Sequence, residues 1–160
     1  MTRATVSTSF ITPIKSDGSE AVASGGDAAF GENCRGVFTL AAATYYFALG
    51  GQDASIIHAM IQGDATIAIT SATIEETDLS DTEAPLYSDT TGQWFASHVD
   101  RITTAVEGTG WANTSDVGSN SAGNAGGVAF NIVDQAARRT RLKVVVGTEG
   151  QARVNAWAKE

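Results

Sequence analysis

Two histidines, one cysteine and a late cluster of basic residues are the side chains from which any chemistry would be built. His58 and His98 stand in no metal-ligand spacing, and Cys34 is the only thiol, so a zinc site of His and Cys ligands is not expected. Cys34 reads as a buried reduced thiol, since free cysteine packs as a small apolar residue. His58 alternates with Ile57 and Ala59 in a strand pattern, which reads as a structural or surface histidine. The chain contains no Gly-x-Ser-x-Gly and no phosphate-cradling glycine loop closed by Lys and Ser/Thr. Asp17-Gly18-Ser19-Glu20 is too short for a calcium loop, whose oxygen ligands are spaced over about twelve residues. Asn113-Thr114-Ser115 matches a glycosylation acceptor, but Met1 to Thr8 lacks the apolar stretch of a secretion signal. These readings together imply a protein that is not an enzyme and carries no metal or cofactor.

The charge layout is more informative. Six of the ten basic residues lie at the end of the chain (Arg138, Arg139, Arg141, Lys143, Arg153 and Lys159), whereas Glu75 to Asp89 carries six acids and no base. The formal net charge is −8, which excludes a general nucleic-acid binder, because phosphate contacts need Lys and Arg. The acidic run reads as a solvated connection. The basic residues fit either of two roles. They are a solvated strand face that deters edge-to-edge aggregation, or they are a subunit interface in which Arg139, Arg141, Lys143 and Arg153 meet an acidic surface on a neighbour. Trp157 shares a strand face with Arg153, and Trp and Arg are enriched at energetically important contacts.

The elements that must position these residues are strands. Ala136 to Lys159 reads as a β-hairpin turning at Gly147-Thr148-Glu149-Gly150. With a side-chain period of two, Leu142, Val144 and Val146 share one face, opposite Arg139, Arg141 and Lys143. Ala152, Val154 and Ala156 share the apolar face of the second arm, opposite Arg153, Asn155, Trp157 and Lys159. Gly36 to Leu49 is a strand apolar on both faces, to be buried on both sides or covered by a partner on one. Ser55 to Gln62 and Ala65 to Thr77 are two further strands, expected to pair as a hairpin. A phase switch near Ser71-Ala72 predicts a bulge in the second. Gly92 to Trp111 fits a short helix or an irregular crossover. Asn113 to Gly127 is a long Asn/Ser/Gly loop with only Val117 to bury, and Val128, Phe130 and Ile132 align on one more strand.

At least six strands, short turns and no long helix define an all-β protein, an antiparallel β-sandwich of jelly-roll type. An immunoglobulin-like sandwich is the second choice. Residues 1–35 read as an extended N-terminal arm and 36–160 as a single sandwich domain. Phe10 and Ile11 are costly to leave in water, which points to an arm that packs on a neighbouring subunit. No run approaches the ~18 apolar residues of a membrane span, so a protein made in the cytoplasm is expected.

The run Ala136 to Val146, the Gly-Thr-x-Gly turn and Arg153-Val-Asn-Ala-Trp-Ala-Lys159 resemble the C-terminal ends of small virion proteins of tailed bacteriophages. Trp111, the Gly/Asn/Ser loop and the Val-x-Phe-x-Ile strand before them are similar too. The resemblance covers about residues 94–159. It implies a structural virion protein, a decoration or cement protein on the phage head. Such a protein works as a homo-oligomer, commonly a trimer, and binds the major capsid protein. The alternative is a carbohydrate- or receptor-binding module of a fibre or spike, with Trp94, Trp111 and Trp157 as sugar platforms.

Overall fold

The computed structural model describes residues 7–23, 36–51, 56–97, 100–103, 120, 126–133 and 137–159. Among them there are eleven strands and no helix: β1 (Ser7–Phe10), β2 (Ile14–Lys15), β3 (Phe38–Leu40), β4 (Ala43–Gly51), β5 (Ile56–Gly63), β6 (Ala68–Thr77), β7 (Phe95–Ala96), β8 (Asp100–Thr103), β9 (Gly126–Val133), β10 (Arg139–Thr148) and β11 (Gly150–Lys159). They form two antiparallel sheets. One runs β1-β11-β5-β9-β8, with β3 also on β11; the other runs β2-β4-β10-β6-β7.

Eight of these strands trace a jelly roll. Strands β3 and β11, β4 and β10, β5 and β9, and β6 and β7 are antiparallel pairs, so the chain is one long ribbon folded back on itself. Rolling that ribbon brings β11 beside β5 and β10 beside β6. The result is β3-β11-β5-β9 in one sheet facing β4-β10-β6-β7 in the other, the order of two Greek keys.

This topology corrects two expected pairings. Strands β10 and β11 are not a hairpin, because Glu149 sits at a corner between the sheets. Each flanking strand is hydrogen-bonded on both edges, β10 by β4 and β6, and β11 by β5 together with β1 and β3. Nor do β5 and β6 pair with each other; the chain crosses between sheets through residues 64–67. The Asp64 carboxylate holds that corner, accepting bonds from the backbone N–H of Thr66 and Ile67 at 3.0 and 2.9 Å. The Asp64 N–H in turn donates to the Gln151 carbonyl of β11. At the other corner Gly150 passes so close to Ile67 that a Cβ there would meet the Ile67 backbone.

The long strand expected over 36–49 is two strands in different sheets. Phe38 and Leu40 point into the core from β3, while Tyr45, Phe47 and Leu49 point in from β4. The inward parity changes at Ala41-Ala42 because the chain passes from one layer to the facing layer. The bulge expected near Ser71 is present: Val145 pairs with Ser71 and Val146 with Ile69, leaving Thr70 as the extra residue. The core contains the inward faces of both sheets, including Ile57, Ile61, Phe130, Leu142, Val144, Val154, Ile69 and Ile74. Where a short helix or an irregular crossover was expected over 92–111, the described residues form the short strands β7 and β8; residues 98–99 and 104–111 lie outside the described residues.

Residues 7–23 of the expected arm belong to the sandwich. Strand β1 pairs with β11 and continues the line of β3 along the same edge, and β2 pairs with β4. Pro13 and Ala21 are buried, and residues 24–35 lie outside the described residues.

Candidate functional site

The densest polar cluster lies on the outer face of the sheet that contains β10. Arg139, Arg141 and Lys143 alternate along β10 opposite the core residues Leu142 and Val144, as period two requires. The loop from Asp78 to Trp94 leaves the end of β6 and folds back over this face as a lid. It brings the acidic run onto the basic strand.

Arg141 is at the centre and is 1 % exposed. Its Nε and Nη2 both reach Glu75 Oε2 at 2.6 Å. Its Nη1 donates to the carbonyls of Leu86 at 2.6 Å and Ser88 at 2.7 Å, and Nη2 reaches Asp89 Oδ1 at 3.1 Å. The guanidinium carbon lies 4.6 Å from the Tyr46 ring centroid and 4.3 Å from that of Trp94. Only the planar five-donor fork of arginine can bind two carboxylates and two carbonyls while stacking on aromatic faces. Removing any one member of such a set would leave a buried charge uncompensated.

The neighbouring cations repeat the pattern more weakly. Arg139 donates to the Ala84 carbonyl at 2.6 Å, pairs with Asp81 at 2.7 Å and lies 5.0 Å from the Trp94 centroid. Lys143 pairs with Asp89 at 3.0 Å. The Trp94 indole N–H donates to the Pro85 carbonyl at 3.1 Å, tying the end of the lid to its middle. The Tyr46 hydroxyl donates to Asp89 Oδ2 at 2.6 Å. Burial pushes the Tyr46 phenol far above its ordinary range, and the hydrogen bond to Asp89 and its negative charge push the same way. At Asp89 burial works against the ionised form. Hydrogen bonds from Tyr46 and Lys143 and the charges of Lys143 and Arg141 outweigh it, and the carboxyl is held below its usual range.

The acidic surface that faces Arg139, Arg141 and Lys143 is therefore the chain's own. The expected solvated connection over 75–89 is a structural lid, and it is also what covers the second apolar side of β4, where Tyr46 is 1 % exposed. Three cations and the carboxylates of Glu75, Asp81 and Asp89 balance within the cluster. Trp94, one of the possible sugar platforms, is an internal part of it.

Three of the other expected contact residues, Phe10, Arg153 and Trp157, lie on the outer face of the opposite sheet. Arg153 donates from Nε to Gln62 Oε1 at 2.6 Å and lies 5.7 Å from the Phe10 ring centroid. Trp157 stacks on His58 of β5, with ring centroids 5.1 Å apart. Phe10 is 42 % exposed, and Ile11 packs against the core edge. Cys34, His98 and Trp111 lie outside the described residues.

Asn120 is a site residue that the sequence reading missed. It falls within the Asn/Ser/Gly run 113–127, yet it is buried against β6. Its backbone N–H donates to the Ile69 carbonyl at 2.9 Å, its Oδ1 accepts from the Ile69 N–H at 2.7 Å, and its Nδ2 donates to the Ile67 carbonyl. One asparagine thus substitutes for a strand partner where β7 does not reach. No local signal separates it from the other asparagines of the same loop.

Among the described residues no group of His, Cys, Asp and Glu is placed to hold a metal ion, and no helix is long and apolar enough to cross a membrane. Fold and cluster define an all-β jelly-roll sandwich with a charge-locked lid. Comparison of the chain with protein-family models, curated proteins and solved structures returns no match.

Proposed function

We propose that the protein is a structural component of a tailed-bacteriophage virion, a decoration or cement protein on the outer surface of the head. It binds the major capsid protein and acts as a homo-oligomer, with a trimer favoured. The observation that carries this reading is how the chain uses its most concentrated polar chemistry. Arg139, Arg141, Lys143, Tyr46 and Trp94 are engaged in locking a loop onto a sheet, which stiffens the body instead of lining an open cleft. A rigid jelly roll with a half-exposed aromatic and cationic sheet face suits adhesion, where several weak contacts add through avidity. The resemblance of residues 94–159 to phage virion proteins supports the same class.

The test is direct. Antibody raised against the purified protein is applied to phage particles from lysates of the host that carries the gene, and the particles are imaged by immuno-electron microscopy. Labelling of head surfaces is the expected result. Label absent from every particle, or confined to tail fibres, would count against the head assignment, and the fibre result would favour the receptor-binding alternative.

A further inference from the structure

The carboxylates of the acidic run fall into two groups. Glu75, Asp81 and Asp89 are paired with the cations of β10. Glu76 and Asp78 are not: among the described residues no Lys or Arg lies within ion-pair distance of either. Each has one oxygen engaged by the fold. Glu76 Oε2 accepts from the Ser97 hydroxyl at 2.9 Å, and Asp78 Oδ1 accepts from the Arg138 backbone N–H at 3.0 Å. The second oxygens, Glu76 Oε1 and Asp78 Oδ2, accept no hydrogen bond from the described residues.

Both residues line one open cleft of about 390 Å³, where β6 runs out into the lid. Leu79, Gly92, Phe95 and Ala137 share its wall, and no Lys or Arg does. The Arg138 side chain lines a separate cleft, with Asp81 and Trp94. Phe95 is the cross-strand neighbour of Glu76. At 60 % exposed it is the most exposed aromatic among the described residues. Trp94, Tyr46 and Phe10 each have a guanidinium over the ring, whereas Phe95 has none among the described residues.

We propose that this cleft binds an arginine side chain presented by a protein partner. Two carboxylate oxygens without donors match a guanidinium, which has five N–H donors and no acceptor. The exposed Phe95 ring offers a face on which the same planar cation stacks. Leu79 and Ala137 give the aliphatic stem an apolar wall. The cleft has the size of a small-ligand site. An anionic or purely apolar occupant would desolvate Glu76 and Asp78 without pairing them, which is costly. A lysine would supply the charge without the planar fork or the stacking. The identity of the partner, the major capsid protein, rests on the virion reading above; the preference for arginine does not.

Amide NMR on the isotope-labelled full chain tests it. The probes are the capped tripeptide Gly-Arg-Gly and its counterparts with lysine and with citrulline, the neutral isostere of arginine, in place of the arginine. The arginine peptide is expected to shift the amides of Thr77, Gly92, Phe95 and Ala137, and to bind more weakly as salt rises. The lysine peptide should bind more weakly, and the citrulline peptide should leave these amides unmoved. Glu76→Gln with Asp78→Asn removes both charges yet keeps an oxygen to accept from Ser97 and from the Arg138 N–H. It should weaken arginine binding at least tenfold with the rest of the spectrum unchanged; if the double variant does not fold, Glu76→Gln alone should weaken it. Phe95→Leu should narrow the gap between arginine and lysine. No shift up to the solubility of the arginine peptide overturns the proposal. So do shifts spread over the whole acidic surface, equal binding of the citrulline peptide, or an amide variant that binds like the wild type. A lysine peptide that binds as tightly overturns the choice of arginine. Particle labelling is independent of these outcomes, so the cleft can fail while the virion assignment stands, and the reverse.

Discussion

The guanidinium of Arg141 lies 4.3 Å from the centre of the Trp94 ring, and this contact closes the lid over the sheet. Arg141 comes from near the start of β10, and Trp94 comes from the far end of the loop that follows β6. Between them the guanidinium takes up the carbonyls of Leu86 and Ser88 and the carboxylates of Glu75 and Asp89. One side chain therefore organises a loop that has no regular structure of its own.

Arg141→Ala should destabilise the protein by about 3–5 kcal/mol, because two carboxylates and two carbonyls lose a buried cationic partner. For a chain of this size that lowers Tm by about 10 °C, measured by calorimetry. Arg141→Lys should recover less than half of the loss, since a point-charge ammonium cannot reach four acceptors or stack as a plane does. Full recovery with Lys would show that charge alone holds the lid.

Alkaline pH should loosen the same cluster. Tyr46 holds its proton more tightly in the folded chain than in the unfolded one, mainly through burial and then through Asp89. Its contribution is present below about pH 10, the ordinary tyrosine value, and is lost as pH rises from there. Tyr45, also raised by burial, acts in the same direction. Tyr46→Phe should be less stable at neutral pH, and the gap to wild type should narrow above about pH 10. Denaturant midpoints across pH 7 to 11 measure both.

Acid acts through Asp89 with the opposite sign. Its folded-state pKa is depressed, so its contribution is present above the ordinary carboxylate range and is lost as pH falls through the folded value. Asp89→Asn should cost about 1 kcal/mol at pH 7, a modest figure because solvent screens a half-exposed carboxylate. The difference should shrink as pH falls below the ordinary carboxylate range and vanish once Asp89 is protonated in the folded chain as well. A gap that persists in acid would place the contribution elsewhere.

Asn120→Ala should remove the side-chain hydrogen bonds to Ile69 of β6 and to Ile67 of the corner before it, and cost about 2 kcal/mol. The sharper readout is hydrogen exchange: the Ile69 amide, which donates to Asn120 Oδ1, should lose protection, while amides on β5 keep theirs.

Gly150→Ala tests the corner between the two last strands. The added Cβ would meet the backbone of Ile67, whereas at Gly147 it would meet a movable methyl, Thr70 Cγ2, at 2.9 Å. Gly150→Ala should therefore be the more damaging of the two, by about 2 kcal/mol. Chemical unfolding of both variants decides it.

Much of this was legible in one dimension. The positions of β5, β6, β9, β10 and β11, the inward faces of β10 and β11, a bulge near Ser71 and the opposite face of Arg139, Arg141 and Lys143 all follow from side-chain alternation. So does the class, since many short strands with one apolar face each must close on one another as two layers. What alternation leaves open is the edge partner. Backbone N–H and C=O groups are the same at every residue, so nothing in the pattern of β10 distinguishes β11 from β4 and β6. A tight glycine turn suggested a hairpin, and rolling the ribbon into two sheets made it a corner.

The charges divide the same way. That six acids precede a run of cations is plain in the sequence, and so is the need for those charges to find partners or water. Whether the partners belong to the same chain depends on where the loop after β6 lies, and only the assembled sheets decide that. Which residues of a strand share a face and which carry charge can be read along the chain, because those are properties of local period and side-chain type. Tertiary structure decided which strands share an edge and that the acidic run covers Arg141, because both depend on residues brought together across the fold.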